Sequence, residues 1–117
     1  MTQLERAKTG EITEEISKVS IDEAIEPEVV RRRIAEGKIV IPANKNRNNN
    51  ITAIGKGLRT KINASIGTST DIADMSMEIE KARIAEQYGA DTLMDLSVGG
   101  DIRGIRKAVM GAIMLPI

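Results

Sequence analysis

The sequence predicts an α/β protein in which a helical N-terminal segment precedes parallel βα units. Three observations support this class. Capped helical patterns fill the first 37 residues, apolar and polar side chains alternate at 62–66, and a strand, loop and helix pattern follows twice. We assign residues 1–57 to a helical segment with a short strand and an asparagine-rich loop. We assign residues 58–117 to the first βα units.

The N-terminal segment contains three helical patterns. Thr2 and Glu5 fit a capping box, and Thr13 is an N-cap followed by two acidic residues. Pro27 stands at the start of a further helix, so residues 13–37 predict a helical hairpin.

A short strand and a polar loop follow the hairpin. Residues 38–42 contain three consecutive β-branched side chains, at 39–41, and end at a proline, which predicts a brief strand. Residues 44–50 are only asparagine, lysine and arginine. These residues favour turns and have nothing to bury, so they predict a surface loop.

The second half contains a βαβ crossover. A strand within 58–66 precedes a helix from about Ser76, and Gly89 separates that helix from a strand at 92–96. Asp101 is the N-cap of the next helix, and the apolar run 113–117 predicts the start of a third strand. Parallel sheets are covered on both faces, so we expect the chain to be truncated.

Composition argues against several functions. The formal charge is zero, so the chain has no overall field to attract nucleic acid or an anionic membrane. It contains no cysteine and no histidine, which are the usual ligands of zinc. The longest uncharged apolar run, 108–117, is too short for a membrane span. We expect a cytoplasmic protein.

Three other features are weak candidates for ligand sites. Arg31 to Arg33 could read DNA, but consecutive helical residues point in different directions and nearby glutamates can neutralise them. The loops 67–70 and 98–101 could hold a phosphate. Both lack the P-loop lysine and the three-glycine dinucleotide pattern, so ordinary βα loops are the favoured interpretation.

Alternation divides the strand at 92–96 into two faces. Met94 shares one face with Thr92 and Leu96, whereas Leu93 and Asp95 lie on the other. A methionine in a strand is most often core filler. The pattern alone leaves open which face lines the protein interior.

Four ordered blocks resemble the N-terminal part of one family. They are PEVVRR at 27–32, EGKIVIPAN at 36–44, KINASIG at 61–67 and YGADTLMDLS at 88–97. In order and spacing they are similar to the ThiC family of phosphomethylpyrimidine synthases. The resemblance covers most of the chain, and its combination of blocks is far more specific than any single glycine loop.

The resemblance implies a TIM-type (β/α) barrel, of which this chain would hold the opening βα units and remain incomplete. It implies a carbon-carbon lyase of thiamine biosynthesis that rearranges aminoimidazole ribotide into phosphorylated hydroxymethylpyrimidine. The family uses S-adenosylmethionine and an iron-sulfur cluster held by three cysteines of a C-terminal motif. This chain would ligate neither metal nor cluster and would supply no catalytic residue.

The resemblance also implies substrate contacts. Met94 matches the family methionine that contacts the ribotide. The family has an Asn-Ala-Asn-Ile-Gly block, which matches residues 63–67 of this chain. Asn63 matches the first asparagine of that block, and Ser65 replaces the second. Ser65 retains a hydroxyl but loses the paired donor and acceptor of an amide. Arg47 replaces a family histidine. We therefore predict that Met94, Asn63 and Ser65 form part of a substrate wall.

A second hypothesis is a non-catalytic interaction module or a degenerate paralogue. It would pair with a separate barrel remainder, or with itself through an open sheet edge. Under either hypothesis we expect the chain alone to be inactive, with no nucleic-acid partner and no membrane partner.

Overall fold

The computed structural model describes residues 1–117. The chain forms five helices, which are α1 Gln3–Lys8, α2 Glu14–Glu23, α3 Pro27–Ala35, α4 Met75–Gln87 and α5 Ile102–Ala112. It forms four strands, which are β1 Ile39–Val40, β2 Ile54–Gly55, β3 Asn63–Ile66 and β4 Thr92–Asp95. None of the helices is both long enough and apolar enough to span a bilayer.

The chain forms two compact units. The first contains 1–45 and 51–60, and the second contains 46–50 and 61–117. The order of elements and the mixture of helices with small sheets confirm the α/β class. The predicted division into domains at 57 and 58 stays a prediction.

Helices α1 to α3 of the first unit begin where the sequence predicts. The side-chain oxygen of Thr2 accepts from Glu5 N–H and that of Thr13 accepts from Ile16 N–H, each at 3.2 Å. Pro27 occupies the first turn of α3. The buried core of this unit consists of aliphatic side chains from all three helices, from β1 and from the residue before β2: Ala7, Ile16, Val19, Val30, Ile34, Ile39 and Ala53.

The predicted strand at 38–42 is confirmed in a shorter form. β1 pairs with β2 in an antiparallel ladder that sets Ile39 opposite Gly55. β2 was not predicted, because residues 54 and 55 are too few to show alternation. A Cβ on Gly55 would lie 2.1 Å from the Lys38 carbonyl oxygen, so only glycine permits this approach.

Four glutamates with a lowered pKa make the first unit sensitive to acid, and two of them, Glu5 and Glu15, lie in α1 and α2. A hydrogen bond from the Thr2 N–H lowers the pKa of Glu5 below its usual 4.5. The pKa of Glu15 is also lowered, mainly by a bond to its own N–H and then by Gln3. A lowered folded-state pKa gives stabilisation that is present above the unfolded value and lost as the pH falls through the folded value.

We therefore expect urea to unfold the first unit at lower concentration at about pH 3 than at about pH 6. Amide hydrogen exchange in α1 and α2 would report this. A Glu5→Gln, Glu15→Gln double variant should show a smaller change with pH. An equal change in the variant would contradict these assignments.

The second unit is a parallel βαβ crossover, as predicted. β3 and β4 pair in parallel, with Asn63 opposite Thr92 and Ser65 opposite Met94. Helices α4 and α5 pack on one side of this pair. The buried core contains Ile66, Ala82, Leu93, Ile105, Val109, Ile113 and Leu115.

The third strand predicted at 113–117 does not form. This segment is apolar and irregular, and it reaches β4 through one backbone bond from Leu93 N–H to the Pro116 carbonyl at 2.9 Å. Proline has no N–H to continue a ladder, which limits pairing at this position. The segment nonetheless buries Ile113 and Leu115.

Arg47 corrects the prediction that the asparagine-rich loop has nothing to bury. Its Nε donates to the Met110 carbonyl at 2.9 Å and its Nη1 to the Leu115 carbonyl at 2.7 Å, while Nη2 donates to Ile113. Carbonyls at a helix C-terminus lack intrahelical donors. The guanidinium therefore satisfies acceptors in the last turn of α5 and in the segment that follows it, and it anchors residues 46–50 within the second unit.

We expect Arg47→Ala to lower the free energy of unfolding of the second unit by about 2 kcal/mol, because a charge-assisted hydrogen bond contributes more than a neutral one. Hydrogen exchange at the Asn50 amide, which donates to the Met114 carbonyl at 2.7 Å, should accelerate. Arg103→Ala on the exposed side of α5 is the control. Equal stability of the two variants would contradict the anchoring role.

Candidate functional site

The bare face of the parallel sheet brings the three predicted site residues together. Asn63, Ser65 and Met94 lie on the side of β3 and β4 away from the helices, beside Thr92. Thr92 Oγ1 donates to Asn63 Oδ1 at 2.8 Å, which fixes the asparagine amide. The structure thus places two polar groups and one thioether on one surface.

Exposure distinguishes the two faces of β4. Met94 is 43% exposed, whereas Leu93 is 3% exposed and packs against α4 and α5. This difference confirms the alternation predicted from sequence. Met94 is therefore not core filler within this unit. Its contact with a ribotide, like those of Asn63 and Ser65, stays a prediction.

The loops that follow β3 and β4 are bonded to each other. Thr68 Oγ1 donates to the Gly99 carbonyl at 2.6 Å and accepts from Gly99 N–H at 3.2 Å. Val98 N–H donates to the Thr68 carbonyl at 3.1 Å, and Thr68 N–H donates to Ser97 Oγ at 3.2 Å. These bonds join the loops at the carboxyl ends of the two strands, residues 67–70 and 97–100, into one surface, which we call the platform.

Glu78 of α4 anchors this platform through a hydrogen bond to Gly67. It lies in the first turn of α4 and is only 2% exposed. Its Oε2 accepts from Gly67 N–H at 2.8 Å, and its Oε1 forms an ion pair with Lys81 Nζ at 2.5 Å. The carboxylate therefore holds the point at which β3 turns into its loop.

The same bonds bear on the phosphate hypothesis for the loop 67–70. The N–H groups of Gly67, Thr68 and Ser69 donate to Glu78, Ser97 and Ile72 respectively. A phosphate cradle needs such donors to be available. The ordinary-loop interpretation favoured from sequence agrees with this arrangement.

Asp95 lies at the end of β4 on the side facing away from Met94. Its Oδ1 accepts from the Ser97 N–H at 2.9 Å and from Ser97 Oγ at 2.6 Å. Its Oδ2 is buried and has no hydrogen-bond partner. Asp95 thus orients Ser97, which in turn accepts from Thr68.

The structural roles of two residues in this region were not predicted from the sequence. Thr68 is buried and ties the two loops together, yet a threonine in a polar loop has no distinguishing pattern. Glu78 follows Asp74 by four residues in a helix start, where acids usually complement the helix dipole from the surface. The only available signal was the separation of Glu78 and Lys81 by one helical turn.

Comparison with known proteins decides the family. The family model described as the Radical SAM ThiC family matches residues 2–117. The chain belongs to this family. The resemblance of the four sequence blocks is therefore confirmed.

Similar ThiC-family proteins carry two different names. A 5-hydroxybenzimidazole synthase of Desulfuromonas acetoxidans is 56% identical over 99% of the chain and 27% of its own length. A phosphomethylpyrimidine synthase of Methanocaldococcus jannaschii is 54% identical over 100% of the chain and 28% of its own length. A phosphomethylpyrimidine synthase of Thermus thermophilus is 50% identical over 100% of the chain and 27% of its own length. The chain spans about a quarter of these relatives.

The residues of this chain do not fit an iron-sulfur cluster. Such clusters are held by cysteine thiolates, and the chain contains no cysteine. No group of three or more His, Cys, Asp or Glu side chains is arranged to hold a metal ion.

Proposed function

We propose that the chain is the N-terminal part of a ThiC-family synthase of thiamine biosynthesis that acts in the cytoplasm. The observation that carries this proposal is the family match over residues 2–117. In the proposed enzyme the substrate is aminoimidazole ribotide and the product is phosphorylated hydroxymethylpyrimidine. S-adenosylmethionine and an iron-sulfur cluster would bind to other parts of the enzyme.

The proposed contribution of this chain is one part of the substrate wall. On the bare face the Asn63 amide and the Ser65 hydroxyl offer donors and acceptors, and the Met94 thioether offers a polarizable surface to a flat ring. Thr92 restrains Asn63 by its hydrogen bond, so less freedom is lost on binding.

We further propose that β3 and β4 are the opening strands of a (β/α) barrel. Two features support this. The pair is parallel and covered by helices on one side only, as barrel strands are, and the platform lies at the carboxyl ends, where barrel enzymes bind substrates. Further strands would cover the bare face and enclose the ribotide.

A second candidate product is 5-hydroxybenzimidazole. Two observations favour it. Proteins named 5-hydroxybenzimidazole synthase are 56% and 53% identical to this chain, as similar as those named phosphomethylpyrimidine synthase. In addition, Ser65 departs from the asparagine that the pyrimidine synthases are expected to have at this position.

Chimeric enzymes would test the proposal. This chain would replace the matching segment of the Methanocaldococcus jannaschii relative and, separately, that of the Desulfuromonas acetoxidans relative. Each chimera and each unmodified relative would be incubated without oxygen with the ribotide, S-adenosylmethionine and a reductant. Mass spectrometry would identify the product.

We expect at least one chimera to keep a substantial fraction of the activity of its unmodified relative, and the chain alone to form no product. Activity in only the Desulfuromonas acetoxidans chimera would favour 5-hydroxybenzimidazole as the product. Two well-folded but inactive chimeras would overturn the substrate-wall proposal. Product formation by the chain alone would overturn the proposal that the cofactors bind to other parts of the enzyme. Adding the chain in trans to a relative that lacks its matching segment tests the interaction-module hypothesis.

A further inference from the structure

The first unit contains a cluster of basic side chains around a shallow cavity. Arg32, Arg33, Lys38 and Lys56 line it together with a single acid, Glu36, and the cavity volume is about 370 Å³. All five residues belong to the first unit, and none belongs to the predicted substrate face. Four cations and one carboxylate give the cluster a formal charge of +3.

A closed ring of hydrogen bonds holds three of these residues in place. Arg33 Nη1 donates to the Lys56 carbonyl at 3.2 Å, and Lys56 N–H donates to the Lys38 carbonyl at 2.9 Å. Lys38 N–H donates in turn to the Arg33 carbonyl at 2.8 Å. The three basic residues are therefore adjacent because the backbone places them so.

Glycine at position 57 allows Arg33 to take its place in the ring. The backbone there has φ +80°, and a Cβ would lie 2.3 Å from Arg33 Nη1. The guanidinium thus lies against the bare backbone of the turn after β2. In this arrangement Arg33 is only partly exposed, whereas Arg32, Lys38 and Lys56 are exposed and accessible to a ligand.

Glu36 neutralises only part of this charge. Its Oε2 pairs with Lys38 Nζ at 2.6 Å. The hydrogen bond from Lys38 lowers the pKa of Glu36, with further contributions from the charges of Lys38, Arg32 and Lys56. The carboxylate thus lies within the electrostatic field of three cations. Cations gathered by the fold around a cavity repel one another, and an oxyanion relieves that repulsion.

We propose that this basic cluster binds the phosphate group of a small phosphorylated metabolite, as a phosphomonoester or a diphosphate. Guanidinium groups bind phosphate oxygens through paired N–H donors, and lysine adds a point charge. The cavity is compact and the whole chain is electrically neutral, which favours a small anion over a nucleic-acid strand.

An NMR titration of the full chain with inorganic phosphate and with pyrophosphate would test the proposal. At about 50 mM salt we expect saturable shifts of the amides of residues 32, 33, 38 and 56, weakening at about 500 mM salt. Pyrophosphate should bind more tightly than phosphate. A short single-stranded oligonucleotide that bound more tightly than pyrophosphate would overturn the small-anion proposal.

Matched variants make the test specific. Arg32→Gln with Lys56→Gln removes two charges and leaves every bond of the ring, since Lys56 contributes only backbone atoms to it. We expect the affinity for pyrophosphate to fall about tenfold or more, because two charge-assisted contacts are lost. Arg106→Gln with Lys107→Gln on α5 removes the same two residue types from the second unit and should leave affinity within about twofold.

Glu36→Gln gives a result of opposite sign. It removes the competing carboxylate and releases Lys38, so we expect phosphate affinity to rise about threefold. Circular dichroism would confirm that each variant is folded. Unsaturable shifts in the unmodified chain, equal losses in the two double variants, or weaker binding by Glu36→Gln would each overturn the proposal.

Discussion

Replacing Gly99 by alanine is expected to lower the free energy of unfolding of the second unit by about 3 kcal/mol or more. The added Cβ would overlap the carbonyl oxygen of Ser69, and relieving that overlap requires the backbone to move. The new Cβ would lie 2.0 Å from the Ser69 carbonyl oxygen. Ser69 cannot move away freely, since its N–H donates to the Ile72 carbonyl at 2.9 Å. Urea denaturation followed by circular dichroism would measure the change.

Gly111→Ala provides the matched control. Gly111 lies within α5 and a Cβ there meets nothing within 4 Å. Alanine favours helix over glycine, so we expect stability to rise by about 0.5 kcal/mol. If Gly99→Ala were as well tolerated as Gly111→Ala, the close packing of the two loops would be wrong.

Glu78→Ala is expected to cost about 3 kcal/mol, because it leaves the Gly67 N–H without its acceptor and Lys81 without its ion-pair partner. Glu78→Gln should cost only about 1 kcal/mol, since an amide oxygen can still accept from the Gly67 N–H. Hydrogen exchange at the Gly67 amide should accelerate strongly in the alanine variant and weakly in the glutamine variant.

Glu80→Ala is the control for this pair. Glu80 lies on the same helix and is exposed, so its loss should change stability by less than about 0.5 kcal/mol. Equal effects at Glu78 and Glu80 would contradict the anchoring of the platform. A larger cost for glutamine than for alanine would contradict the hydrogen bond to Gly67.

The helices and the parallel strands could be predicted because their signals are local. Caps at Thr2, Thr13 and Asp101 each precede a helical pattern, and each accepts a backbone N–H in the structure. Alternation likewise separated Met94 from Leu93 correctly, since a strand points successive side chains to opposite faces.

What escaped prediction depends on contacts between distant residues. β2 exists because Gly55 lets the backbone approach Lys38. Arg47 lies in a loop of turn-forming residues, and only the folded chain brings it to carbonyls 63 to 68 positions away. The apolar run 113–117 shows the converse. Its composition favours a strand, but Pro116 has no N–H to donate, and only one backbone hydrogen bond joins the segment to β4.

The candidate site was predicted mainly through family resemblance. Alternation placed Asn63 and Ser65 together and Met94 on one face of its own strand. The parallel register, which no local pattern specifies, is what sets Ser65 opposite Met94. For the loop 67–70 the sequence favoured an ordinary βα loop over a phosphate site. The structure agrees, because the N–H groups of Gly67, Thr68 and Ser69 already donate to Glu78, Ser97 and Ile72.

The substrate wall can be tested most directly by the KM of the Methanocaldococcus jannaschii chimera for aminoimidazole ribotide. Met94→Ala should raise this KM by about tenfold or more, a loss of about 1.4 kcal/mol of binding. Met77→Ala on α4 is the control, because Met77 is 45% exposed and Met94 is 43% exposed. Met77→Ala should leave KM unchanged. An unchanged KM in Met94→Ala, or equal increases in the two variants, would contradict a substrate contact at Met94.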